Sequence, residues 1–160
     1  MARGRTVGRF IALCIFAVWF VAILAYTIIR PRLVMSKGLF AAAEQGDGAT
    51  VQRLLSRGAD VRVRDRDGHT ALWLAANNGH ADIAEALLEH GADANARGLE
   101  GWTPLIAAAH RGDAAAVRVL LAHGANVNAE SNEGATALRY AEDEKRAEIV
   151  EMLKKAGAKK

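Results

Sequence analysis

The stretch Glu100–Ala129, EGWTPLIAAAHRGDAAAVRVLLAHGANVNA, falls on itself when the chain is shifted by 33 residues in either direction. Thr70, Thr103 and Thr136 line up, as do Leu72, Leu105 and Leu138, and Ala75, Ala108 and Ala141. Leu54, Leu87, Leu120 and Leu153 keep the same spacing, as do Gly58, Gly91, Gly124 and Gly157. An earlier copy is degenerate at its start but retains Leu39, Ala42, Gly46, Leu54, Gly58 and Ala59. Self-similarity at a fixed period of this length means stacked supersecondary units, none of which can bury its apolar face alone.

Each unit reads as turn, short helix, tight break, second helix and loop. In the second unit the helices are expected from Ala71 to Asn78 and from Asp82 to Glu89, with Leu72, Ala75, Ala76, Ile83, Leu87 and Leu88 in apolar stripes at helical spacing. Ala75, Ala76, Ala108 and Ala109 allow neighbouring helix pairs to approach closely. Gly91 and Gly124 suit the position past a helix end, where left-handed backbone is needed. His90 and His123 fall in the last helical turn, where the helix dipole favours a cation. In the fourth unit Glu142 replaces Ala76 and Ala109, Lys154 replaces Leu55, Leu88 and Leu121, and Lys145-Arg146 replace the Gly-His or Gly-Asp break. Polar substitutions of that kind belong on a repeat with one face in water.

The turns GHTALW from Gly68, GWTPLI from Gly101 and GATALR from Gly134, the first two followed by Ala-Ala, Gly-His or Gly-Asp, Leu-Leu and Gly-Ala-Asp or Gly-Ala-Asn, carry a family likeness. The chain resembles the ankyrin repeats over about residues 36–158, with Trp73, Ile106 and Arg139 where that family has a turn histidine. The resemblance implies an all-α solenoid of four helix-turn-helix units, at about 36–64, 65–97, 98–130 and 131–158, within a domain at 39–160.

Ahead of the array, residues 10–29 (FIALCIFAVWFVAILAYTII) run for twenty positions without charge, Gly or Pro, between Arg9 and Arg30. A helix of that length spans about 30 Å, the hydrocarbon thickness of a bilayer. The expectation is a basic tail at 1–9, one transmembrane helix at 10–29 and a juxtamembrane linker at 30–38. A cleaved signal peptide is the competing reading, but its apolar region is shorter and ends at a small-x-small site, which Tyr-Thr-Ile-Ile-Arg-Pro does not provide. The grouping of Arg3, Arg5 and Arg9 ahead of the span favours a cytoplasmic N-terminus and an extracytoplasmic, periplasmic repeat domain.

The overall charge of +3 conceals a division. The six basic residues of the first 37 positions stand without an acid, and the remaining 15 Lys and Arg face all 18 Asp and Glu, leaving −3 on positions 38–160. A slightly acidic array is not the footprint of a nucleic-acid binder. Cys14 is the single cysteine and lies in the apolar run, so the array has no disulfide, cysteine-based zinc site or thiol nucleophile.

Asp65-Arg66-Asp67-Gly68-His69-Thr70 is similar to a phosphotransferase signature with Asp65 as nucleophile. The same offsets return at Gly98–Thr103 without the leading Asp, so Gly-x-Thr reads as the chemistry of the turn. His90 and His123 share a column, about 10 Å apart at helix-packing distance, but no third ligand recurs with them. No catalytic, cofactor-binding or metal-binding residue is assigned, no cofactor is expected, and no small-molecule substrate is implied.

What remains is surface. In ankyrin proteins partners commonly dock on the turn tips and on the inner face of the first helices. The matching positions here are Arg64, Arg66, Asp67, His69, Asn77 and Asn78 in one layer, then Arg97, Leu99, Glu100, Trp102, His110 and Arg111, then Glu130, Asn132, Glu133, Asp143 and Glu144. Trp102, ringed by Arg and His, has the composition of an interface hot spot, and the tips pass from basic to acidic along the array. The expectation is a non-catalytic, single-pass membrane-tethered protein, an adaptor or accessory subunit binding another, membrane-associated protein. The alternative is a soluble secreted or periplasmic protein, its signal peptide removed, that binds and protects an enzyme.

Overall fold

Thr70, Thr103 and Thr136 each open a helix in the same way. Their backbones are extended and their hydroxyls accept the N–H of Trp73, Ile106 and Arg139 at 3.2, 3.3 and 3.3 Å. That bond satisfies one of the orphan donors of a helix N-terminus. The computed structural model describes residues 19–21, 23, 30–98 and 100–159. Among them the helices are α1 (Arg30–Gln45), α2 (Gly48–Ser56), α3 (Ala71–Asn78), α4 (Ala81–Glu89), α5 (Pro104–Arg111), α6 (Ala114–Ala122), α7 (Ala137–Asp143) and α8 (Ala147–Lys155). The helix pair expected in the second unit is therefore present, its second member starting one residue earlier than the spacing indicated.

The first helices end at a residue in left-handed conformation, Gly79 (φ 80) and Gly112 (φ 89). Asp47 and Asp113 then cap the second helices, accepting N–H bonds from Thr50 and from Ala115 and Ala116. Gly91 and Gly124 adopt the positive φ expected of them, and His90 and His123 stand at the C-caps of α4 and α6. The described residues form no strand, only an isolated antiparallel bridge between Glu130 and Thr136.

The chain divides into two units, Met1–Met35 and Ser36–Lys160. In the second, α3, α5 and α7 pack in succession, as do α2, α4, α6 and α8, and α3–α4, α5–α6 and α7–α8 pair within their repeats. Leu72, Leu105 and Leu138 from the first row and Leu87, Leu120 and Leu153 from the second are buried to within 2% of completely. Ala75, Ala108 and Ala141 lie between them with no exposure. Leu39, Ala42 and Ala43 of α1 join the same cluster. Each buried leucine contributes about 1.5–3 kcal/mol relative to an exposed one, and the burial comes from neighbouring repeats.

In the first unit Trp19, Phe20, Val21 and Ile23 are helical and exposed. The transmembrane helix expected at 10–29 otherwise falls outside the described residues, as does the tail at 1–9. No helix of the described residues is long and apolar enough to cross a membrane. Residues 30–38, read as a linker from the sequence, lie within α1. Pro31 is its second residue, where a missing N–H costs no helical bond.

Candidate functional site

The expected partner-facing residues sort into those bound to their own array and those left on its surface. Arg64 donates to the Gly68 carbonyl at 2.7 Å and also to the Arg97 carbonyl of the next repeat. Arg97 in turn donates to Asn132 Oδ1 at 3.3 Å and lies over Gly101. The Arg111 guanidinium lies against Gly79 of the preceding unit, and Arg139 holds Asp143 at 3.3 Å. The charge of Arg64 and Arg97 stays at these tips, since their partners are neutral carbonyl and amide oxygens. Arg64 and Arg97 brace successive turns, because a guanidinium has several donors and a turn presents carbonyls within its reach.

The Asp65 turn is knotted by Asp65 Oδ1, which accepts the N–H groups of Asp67 and His69 at 2.9 and 2.8 Å. Asp65 Oδ2 is 3.6 Å from His69 Nδ1, and Asp65, Asp67 and His69 place ligand-type atoms within 4.8 Å of one another. The residues that gave the phosphotransferase likeness are thus occupied with turn hydrogen bonds. His69 stacks on Trp73 with ring centroids 3.9 Å apart and 17° between planes. Trp73 Nε1 is buried without a hydrogen-bond partner. Arg66 and Asp67 are exposed at the tip, Asn77 is half-buried, and Asn78 Nδ2 donates to the Leu74 carbonyl at 2.9 Å. Leu99 lies outside the described residues.

In the third repeat Trp102 packs with its ring centroid 5.2 Å from His110 and 4.8 Å from Tyr140 of the fourth repeat. His110 and Tyr140 are 5.8 Å apart, edge to face at 89°. Trp102 and Tyr140 are half-buried and His110 is exposed. Glu100, Glu133, Asp143 and Glu144 are exposed around the same turns and helix ends.

Tyr140 escaped the sequence reading, although its register gave a signal: it stands where Leu74 and Ala107 stand in the two earlier repeats. The small Ala107 leaves the room over which a neighbouring ring can lie. A second feature missed is an asparagine ladder on the loop side. Asn95 binds the Asn126 N–H and the Gly124 carbonyl, and Asn128 binds the Lys159 N–H and the Gly157 carbonyl. Of the two histidines weighed as a metal pair, His90 meets the Ala86 carbonyl of its own helix with Nδ1 at 2.8 Å, and His123 is the exposed C-cap of α6. His80 lies on Gly46 with Nε2 3.3 Å from the Glu44 carbonyl.

A search of the curated proteins finds no match. The family model for ankyrin repeats in three copies matches residues 39–130 and 91–160, which together span well over half of the sequence. With the threonine-capped first helices, the left-handed glycine breaks and the two packed rows of helices, this match identifies the chain as a member of the ankyrin-repeat family.

Proposed function

We propose that this protein is a non-catalytic adaptor that holds another protein close to a membrane. The binding role follows from the ankyrin array, and the observation that carries its location is the aromatic cluster of Trp102, His110 and Tyr140 on the face of turn tips and first helices. Half-exposed tryptophan and tyrosine present large area at low cost in side-chain entropy, the composition of interface hot spots. The tether rests on the sequence alone: residues 10–29 are long and apolar enough for a bilayer. An anchor confines the search for a partner to the membrane and raises its effective concentration. The arginines grouped ahead of that segment favour an extracytoplasmic array, and an accessory subunit of a membrane or envelope complex fits both properties.

Purification of the full chain in mild detergent is the test. The expected result is a stoichiometric companion protein that is lost on Trp102→Ala and retained on substitution of an exposed residue of another face, such as Glu85→Gln. A companion unaffected by Trp102→Ala overturns the docking face. Intact-mass measurement decides the tether, since a mature protein lacking Phe10 makes the protein soluble and favours the enzyme-protecting alternative. A compartment-sensitive reporter fused after Lys160 reads the orientation.

A further inference from the structure

We draw no further inference here: the strongest candidate, the side-chain cluster of Asp65, Asp67 and His69 on the turn before α3, with ligand-type atoms within 4.8 Å of one another, carries nothing because Asp65 already serves the hydrogen bonds of its own turn and no second observation points to an ion there.

Discussion

The Asn95 side chain accepts the backbone N–H of Asn126 at 2.7 Å, across the seam between the second and third repeats. Its Nδ2 donates to the Gly124 carbonyl at 3.2 Å, so one amide clamps both strands of the following loop. Asn128 repeats the arrangement one unit later on Lys159 and Gly157. In the first seam the register position is Arg62, which keeps the own-loop N–H bond of the series, to Asp60 as Asn95 to Asp93 and Asn128 to Asn126, but has no side-chain amide to cross the seam. A net intramolecular hydrogen bond contributes about 0.5–1.5 kcal/mol, less when exposed. Asn95→Ala is expected to lower stability by about 1 kcal/mol in urea melts, and Asn95→Asp, which keeps the acceptor and loses the donor, by roughly half of that. A change below the error of the melt in both variants shows that the ladder carries no stability.

Lys145 is the non-glycine residue at positive φ among the described residues, 57°, at the break where Gly79 and Gly112 stand in the preceding repeats. Left-handed backbone costs a side-chain-bearing residue about 1–2 kcal/mol. Glycine returns about 0.5–1 kcal/mol of that as unfolded-state entropy. Lys145→Gly is therefore expected to stabilise by about 0.5–1 kcal/mol, measured by thermal or urea unfolding. Gly112→Ala, at the same register with φ 89 and Arg146 Nε 2.6 Å from where a Cβ would stand, is expected to do the opposite. Equal signs for the two substitutions contradict this account of the break.

The repeat, its helices and its buried columns were legible because they rest on period and polarity. Leu72, Ala75 and Leu87 recur at fixed offsets and are buried in the second, third and fourth copies. The exposed face was legible only as a set of positions. Nothing in the sequence says that the Arg64 guanidinium turns to the Arg97 carbonyl instead of to solvent, because the choice depends on the spacing of two turns in space. The same holds for Tyr140, which joins Trp102 across the stack, and for Asn95, which sits in a loop that pattern alone reads as polar. Contacts within a repeat follow from local pattern, whereas contacts between repeats follow from the stacking geometry.

Asp47 caps α2 with its carboxylate, and the Thr50 side chain and backbone N–H hold its pKa below the ordinary 3.8. A depressed carboxylate contributes stability that is present above the unfolded value and is lost as pH falls through the folded one. Asn caps a helix about as well and does not titrate. Relative to Asp47→Asn, the wild type is expected to hold a constant margin above about pH 5 and to lose ground steadily below 3.8. Parallel unfolding curves for the two proteins throughout that acid range sink the assignment of the cap.

Glu142 and Lys154 form an ion pair at 3.3 Å on the fourth repeat, their side chains 39% and 45% exposed. In the second repeat the same register holds Ala76 and Leu88, both buried by the repeat that follows. An exposed pair of this kind contributes about 0–1 kcal/mol, so its effect on the fold is slight. Its effect on association is larger, since a charged pair opposes the burial that an apolar face would reward. Glu142→Ala with Lys154→Leu rebuilds the apolar face of an inner repeat on a side left in water. The expected outcome is a domain of nearly unchanged melting temperature that self-associates with rising concentration in sedimentation velocity. The wild type and the single variant Glu142→Gln are expected to sediment as one species under the same conditions. A double variant that remains as dispersed as the wild type shows that shape, and not this ion pair, keeps the fourth repeat from acquiring a neighbour.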